Sequence, residues 1–107
     1  HAPRITEKIH ANIFWMADNS YKKGEQVTFK CSTQEVNGRI DNIYKRFDPA
    51  TIEVVDNDAA EIGAAEIADV EIILEKPVVV DSFNEIPEMG RFVLEKMGHP
   101  VGGGIIL

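Results

Sequence analysis

Ile5-Thr6-Glu7-Lys8-Ile9-His10-Ala11-Asn12-Ile13 alternates with a period of two, so that the isoleucines and the alanine share one parity with Glu7 and polar side chains occupy the other. Successive residues of a β-strand point to opposite faces, so this alternation predicts a strand with one face against a core. The stretch continues into Phe14-Trp15-Met16, where both parities are apolar. We therefore expect a long strand that is covered on both faces at this end.

The same alternation recurs along the chain between short stretches of Gly, Pro, Asn and Asp, which favour turns. One helical turn is predicted within Asp56–Ala65, and Asn84–Gly90 is predicted to be a loop. Six or so strands with almost no helix predict an all-β fold, an antiparallel barrel or sandwich. The further predicted strands are residues 27–31, 36–47, 51–55, 68–80 with an interruption at Lys76-Pro77, 91–94 and 101–107, the last two joined by a turn at 98–100.

The length and composition of the chain indicate one globular domain. Its 107 residues, 44% hydrophobic and 27% charged, leave no room for a second domain, and we place the domain at residues 3–107. His1 and Ala2 are expected to be vector-derived, so that the chain is a piece of a longer protein. No apolar run approaches the roughly 20 residues of a membrane span, so no membrane partner is expected. The single cysteine, Cys31, cannot form an internal disulfide and fits a reducing cytoplasm.

The formal charge of −7 argues against a surface that binds nucleic acid mainly through phosphate contacts. Two local basic pairs, Lys22-Lys23 and Lys45-Arg46, keep a basic patch open as an alternative.

The residues that often carry catalysis or bind metals do not form a recognisable set. The histidines are far apart and lack metal-ligand spacing, and Cys31 belongs to the apolar row of its strand, which favours a buried, inert thiol. The acidic residues between Asp56 and Asp69 lack the order and the glycine of a calcium-binding loop. No Lys-Ser/Thr pair and no helix follow Gly102-Gly103-Gly104, so a phosphate-binding loop is not predicted there. We predict no catalytic, cofactor-binding or metal-binding residue.

Three features leave alternatives open. Trp15 is either a core side chain, the favoured interpretation, or an exposed stacking platform. Arg91 is either half of an ion pair at a strand edge or a contact to a partner domain. Gly102-Gly103-Gly104, inside a terminal strand, marks a bulge, a barrel corner or a close approach of two backbones.

The last third of the chain resembles a known family. It contains Leu74-Glu75-Lys76-Pro77-Val78-Val79-Val80, then Phe83, then Ile86-Pro87-Glu88-Met89-Gly90-Arg91-Phe92-Val93-Leu94, and it ends in Val101-Gly102-Gly103-Gly104-Ile105-Ile106. The order and spacing are similar to those of the C-terminal domain of the elongation factor Tu and elongation factor 1-alpha GTPase superfamily. The resemblance implies a six-stranded, antiparallel, closed β-barrel that packs against other domains of the same GTPase.

Within that superfamily, Phe14-Trp15-Met16 and the return at Lys22-Lys23-Gly24 are similar to the large GTPase subunit of bacterial sulfate adenylyltransferase. The resemblance then implies that the parent protein binds GTP and magnesium, and that it couples GTP hydrolysis to sulfate activation in a separate catalytic subunit. Pro87-Glu88-Met89-Gly90-Arg91-Phe92 is instead similar to elongation factor 1-alpha and its ribosome-rescue and termination relatives. The alternative is therefore a translation-type domain that binds tRNA or a release-factor-like protein. The residues expected to contact partners are Arg91, Phe83, Glu88, Lys22 and Lys23.

Overall fold

The structure, a computed structural model, describes residues 3–107 and consists almost entirely of β-strands. The expected vector origin of His1 and Ala2 falls outside the described residues. The elements are β1 (Arg4–Trp15), β2 (Tyr21–Lys22), β3 (Gln26–Cys31), β4 (Gln34–Phe47), β5 (Val54–Ala59), β6 (Glu61–Ile62), β7 (Ile67–Val80), the short helix α1 (Pro87–Gly90), β8 (Arg91–Lys96) and β9 (His99–Ile106).

Six strands form a closed antiparallel barrel. Their order is β3-β8-β9-β1-β7-β4, and the ring closes because β3 also pairs with β4. The strand β3 therefore has a hydrogen-bonded neighbour on each side. Its Phe29 pairs with Val36 of β4 on one side and with Leu94 of β8 on the other. The predicted fold class, a six-stranded antiparallel closed β-barrel, is confirmed, and closure removes the exposed edges of an open sheet.

The inward parity of each strand fills the barrel. Ile9, Ala11, Ile13 and Trp15 are each no more than 1% exposed, as the alternation of β1 predicts. The core interpretation of Trp15 is thereby confirmed, and its indole Nε1 donates a hydrogen bond of 2.8 Å to the carbonyl of Asn19. Cys31 is also buried, as predicted.

Tyr21 places a hydroxyl group within the core. Its ring lies 5.2 Å from that of Trp15, and its hydroxyl accepts a 2.8 Å hydrogen bond from the backbone N–H of Ile40. Burial raises the pKa of Tyr21 to about 12, so the hydroxyl stays protonated. The hydroxyl therefore satisfies a buried amide without introducing a charge.

Two predicted elements differ from the observed ones. The helical turn predicted within Asp56–Ala65 is wrong, because this stretch forms most of β5 and then β6. The strand β5 pairs with the second half of β4, and Arg46 of β4 lies 3.5 Å from its cross-strand partner Asp56. This long-range pairing outweighs the local preference. The interruption predicted at Lys76-Pro77 is absent from β7. Pro77 is accommodated because it lies in the irregular stretch where the pairing between β7 and β1 shifts register.

The predicted loop Asn84–Gly90 contains α1 at its end. Within residues 3–107, no helix is long and apolar enough to cross a bilayer.

The glycine run of β9 is a place of close backbone approach, one of the three predicted alternatives. A Cβ at Gly104 would lie 2.2 Å from the carbonyl oxygen of Asn12 and 2.8 Å from a methyl group of Ile13. At Gly103, on the opposite face, a Cβ would meet one atom, the carbonyl oxygen of Phe92, at 3.1 Å. Glycine at 104 thus lets β9 lie tightly against β1.

We predict that Gly104→Ala destabilises the barrel by about 2–3 kcal/mol, because the added methyl group forces the two strands apart. Gly103→Ala is the matched control, because its methyl group points outward and needs a far smaller adjustment. Urea unfolding of the 107-residue chain measures both. Equal losses of stability in the two variants would contradict the close approach at Gly104.

A second stabilising contact joins β4 to the turn before β7. The guanidinium of Arg46 donates two hydrogen bonds to the carboxylate of Glu66, at 2.9 and 3.0 Å, and Glu66 also accepts one from the backbone N–H of Gly63 at 2.6 Å. Burial raises the pKa of Glu66, but these hydrogen bonds outweigh it, so the pKa lies below its ordinary value of 4.5. Such bidentate, charge-assisted contacts are among the stronger polar contacts in proteins.

The lowered pKa of Glu66 predicts how stability depends on pH. A carboxyl whose pKa is lower in the folded state contributes stability that is complete above its unfolded-state pKa and is lost as pH falls through its folded pKa. We expect Glu66→Gln to cost about 1–2 kcal/mol at pH 7 and progressively less below pH 4.5. Unfolding by urea at a series of pH values measures this difference. A cost that is independent of pH would contradict the ion pair.

Candidate interaction surface

The loop between β7 and β8, residues 81–90, forms the centre of the candidate surface, and we call it the motif loop. Backbone hydrogen bonds hold both of its ends. The N–H of Asp81 donates to the carbonyl of Met89 at 3.1 Å, and the N–H of Phe83 donates to the carbonyl of Ile106 at 2.9 Å. The motif loop is therefore fixed to the final strand of the barrel.

Gly90 closes the motif loop on itself. A Cβ at this position would lie 2.4 Å from the backbone nitrogen of Phe83 and 2.7 Å from the carbonyl carbon of Ser82. Residues with a side chain cannot be accommodated without moving the loop backbone. The glycine before Arg91 thus sets where β8 begins and where the Arg91 side chain leaves the surface.

The turn between β3 and β4 supports the motif loop from the side. The hydroxyl of Ser32 donates to the carbonyl of Glu88 at 3.1 Å, and the thiol of Cys31 donates to the carbonyl of Met89 at 3.6 Å. Burial raises the pKa of the Cys31 thiol, and a hydrogen bond with Ser32 offsets this only in part. Cys31 is consequently a protonated structural thiol, without the thiolate character that nucleophilic cysteines have.

An open depression of about 610 Å³ lies beside the motif loop, on the outer face of β8 and β3. Arg91 and Val93 line it from β8, Glu88 from the motif loop, Ser32 from the turn and Pro100 from β9. The structure therefore brings together two of the predicted contact residues, Arg91 and Glu88. The period of two on β8 already places Arg91 and Val93 on one face, whereas the contribution of Ser32 is a long-range contact with no local sequence signal.

Arg91 contributes a positive charge to this depression and Glu88 a negative one, and neither forms an ion pair within the described residues. The side chain of Arg91 is exposed. Lys30, on the same surface, is occupied, because it lies 3.1 Å from both Glu35 and Glu95. Hydrogen bonds to these two carboxylates raise the pKa of Lys30. The alternative of a strand-edge ion pair for Arg91 therefore has no support in the described residues.

The remaining predicted contact residues lie elsewhere. Phe83 is half-buried on the motif loop and does not line the depression. Lys22, in β2, and Lys23, directly after it, are exposed. Glu25, in the same turn, forms an ion pair with Lys96. Lys96 is the last residue of β8 and Arg91 is its first, so the two lysines lie near the opposite end of β8 from Arg91. The five predicted residues therefore do not form one site.

The glycine run of β9 does not form a phosphate-binding loop. Gly102, Gly103 and Gly104 pair with β1 on one side and with β8 on the other, so their backbone groups belong to the sheet. These residues do not fit the phosphates of a nucleotide, whose cradle requires free backbone N–H groups. Among the described residues, no group of three or more His, Cys, Asp or Glu side chains is arranged to hold a metal ion.

The family described as "GTP-eEF1A C-terminal domain-like" matches residues 8–107 of the chain. Elongation factor 1-alpha of Aeropyrum pernix is 34% identical over 106 residues, which cover 97% of this chain and 24% of that protein. Sulfate adenylyltransferase subunit 1 of Tolumonas auensis is 28% identical over 106 residues, which cover 97% of this chain and 22% of that protein. The chain thus spans about a quarter of the length of these relatives.

Among solved structures, Sup35 complexed with GDP has the same fold, with a TM-score of 0.88 at 19% sequence identity. The match covers 98% of this chain and 26% of that chain.

We predict that Gly90→Ala destabilises the chain by about 1–3 kcal/mol, because its methyl group would overlap the backbone of the motif loop. Ser32→Ala, which removes one hydrogen bond to the loop at an exposed position, should cost clearly less. Urea unfolding measures both costs, and hydrogen exchange of residues 81–90 measures local opening. Unchanged exchange in Gly90→Ala would contradict the tight closure of the loop.

Proposed function

The chain belongs to the GTP-eEF1A C-terminal domain-like family, and we propose that it is the non-catalytic barrel through which a longer GTPase contacts its other domains and partner subunits. The observation that carries this proposal is the exposed guanidinium of Arg91, which forms no ion pair within residues 3–107 and lies beside a motif loop held by backbone hydrogen bonds. A closed barrel deforms little, so a rearrangement at a distant nucleotide site can move it as a rigid body across an interface. GTP and magnesium would then bind in another part of the parent protein.

For the parent protein, we propose the GTPase subunit of a sulfate-activating enzyme. Its partner would be the catalytic adenylyltransferase subunit, and Arg91, Glu88 and Phe83 would take part in the contact. The support is the similarity to sulfate adenylyltransferase subunit 1 over 97% of the chain, together with the charge of −7, which does not favour tRNA. Lys22 and Lys23 would contact a different neighbour, since they lie at the other end of β8.

The second candidate parent is a translation-type factor that binds tRNA or a release-factor-like protein. The higher identity to elongation factor 1-alpha, 34% against 28%, favours it, as does the sequence of the motif loop.

Three measurements on the full-length parent protein separate the candidates. GTP-stimulated formation of adenylyl sulfate in the presence of the catalytic subunit supports sulfate activation. Binding of tRNA with a steep dependence on salt concentration supports the translation-type factor, because contacts with phosphates release counterions. A parent protein that shows neither behaviour and binds a release-factor-like protein supports the termination or rescue version.

We predict that Arg91→Ala weakens the contact between the parent protein and its catalytic subunit by about 30-fold, the loss expected where an arginine is one of the few residues that dominate an interface. The stability of the barrel should be unchanged, because Arg91 is exposed and forms no ion pair within the described residues. Arg39→Ala is the matched control, since Arg39 is an exposed strand arginine that already contacts Asp41 at 3.3 Å. Titration calorimetry measures the affinity. Equal affinities of Arg91→Ala and the unmodified protein would contradict the proposed contact.

A further inference from the structure

Gln34, the first residue of β4, bonds through its side chain to the backbone of β7. Its Nε2 donates a hydrogen bond of 2.8 Å to the carbonyl of Val79, and its Oε1 accepts one of 2.7 Å from the N–H of Val79. A residue in a neighbouring strand would bond to Val79 in the same way, with one donor and one acceptor. The amide of Gln34 therefore takes the place of a strand at this position.

This end of β7 has a strand neighbour on one side only. Val79 pairs with β1, whereas the pairing between β7 and β4 stops at Leu74↔Gly38. Beyond that pair, an open depression of about 290 Å³ lies between residues 35–37 of β4 and residues 75–76 of β7. The glutamine amide bridges the two strands at the far end of this depression.

Few other side chains can make both hydrogen bonds. A carboxylate accepts but cannot donate, an ammonium group donates but cannot accept, and asparagine is shorter by one methylene group. The presence of glutamine at position 34 is therefore tied to its contact with Val79.

Ser32, two residues earlier, makes a contact with the other end of the motif loop. Its hydroxyl donates to the carbonyl of Glu88 at 3.1 Å. The φ of Ser32 is +55°, a left-handed value at which glycine or asparagine would be less strained. A serine at a strained position indicates that its hydroxyl contact has a role.

The hairpin that joins β3 to β4 therefore holds both ends of the motif loop, residues 81–90. Val79 lies two residues before the loop begins, and Glu88 lies three residues before Arg91. We call residues 31–34 the β3–β4 tip. A change in the β3–β4 tip would shift the loop backbone and, with it, the side chains that leave the loop.

We propose that Gln34 is a positioning residue for the contact that Arg91 and Glu88 make with a partner subunit. With Ser32, it fixes the motif loop in the conformation that presents these two side chains together. Gln34 does not itself line the depression beside Arg91, so it acts through the loop. This inference rests on the proposed function, in which that depression meets the partner.

Two substitutions at position 34 separate hydrogen bonding from packing. Gln34→Ala removes the amide and most of the side chain. Gln34→Met removes the two hydrogen bonds but keeps an unbranched side chain of similar length. Gln26→Ala is the matched control, because Gln26 is an exposed glutamine at the opposite end of β3 from the β3–β4 tip.

Hydrogen exchange of the 107-residue chain tests the role of Gln34 without any partner. The amides of Asp81, Phe83 and Met89 form hydrogen bonds in the motif loop or to β9. We expect both position-34 variants to speed the exchange of these amides at least about fivefold relative to the amides of β1, because local opening of the loop becomes easier. Gln26→Ala should leave this ratio unchanged.

Two outcomes of the exchange experiment would overturn the proposal. Equal acceleration in the motif loop and in β1 would show that Gln34 stabilises the barrel as a whole, which is a purely structural role. Exchange in Gln34→Met that matches the unmodified chain would show that the side chain acts by packing and that its hydrogen bonds do not position the loop.

The affinity of the full-length parent protein for its catalytic subunit, measured by titration calorimetry, tests the link to Arg91. We expect Gln34→Met to weaken binding by about tenfold, the size of coupling seen between residues that share one network. The double variant Gln34→Met/Arg91→Ala should bind no more weakly than Arg91→Ala alone, because Gln34 acts through the same contact. Additive losses in the double variant would overturn the proposal.

Failure of this inference and failure of the proposed function give different results. An unmodified parent protein that binds its catalytic subunit, with an affinity that Gln34→Met does not change, would overturn this inference and leave the proposed function standing. An unmodified parent protein that does not bind the subunit would overturn the proposed contact, and with it the role of Gln34 in that contact.

Discussion

The double pairing of β3 is the constraint on which the rest of the structure depends. This strand of six residues, Gln26–Cys31, is hydrogen-bonded to β4 along its whole length and to β8 at three of its positions. Inside the barrel, the ring centroid of its Phe29 lies 4.9 Å from that of Phe92 of β8, so side-chain packing as well as backbone pairing joins β3 to β8. Without β3, the sheet would expose the edges of β4 and β8 and uncover one side of the core.

Closure of the barrel fills its interior with side chains, so the candidate contact residues lie on its outer face. The inward-facing residues of the barrel strands are apolar and tightly packed, and the glycine run of β9 is used to bring the backbones together. The candidate contact residue Arg91 therefore lies where a loop meets an outward-facing row of side chains. The motif loop orients Arg91. It is a short segment whose backbone is fixed by hydrogen bonds to the barrel.

The sequence predicts the barrel strands well because a period of two is a local signal. The bounds of the long strand that ends at Phe47 agree with the sequence prediction to within two residues. The helical turn predicted within Asp56–Ala65 is wrong, because the pairing between β5 and β4 is not encoded locally. Arg91 and Glu88 are close in sequence, so their meeting at one depression follows from the motif. The distance of Lys22 from them and the support of the motif loop by Ser32 depend on the register of strands far apart in the chain, which the sequence pattern does not specify.

The proposed role of the chain depends on the closure of the barrel into one rigid body. Native-state hydrogen exchange of the 107-residue chain, followed residue by residue by NMR, measures this directly. We expect the paired amides of β3 to exchange with the same free energy of opening as those of β1 and β7, namely the free energy of global unfolding. Amides of β3 and β8 that exchange through a much smaller local opening would show an open sheet, and they would contradict the rigid barrel.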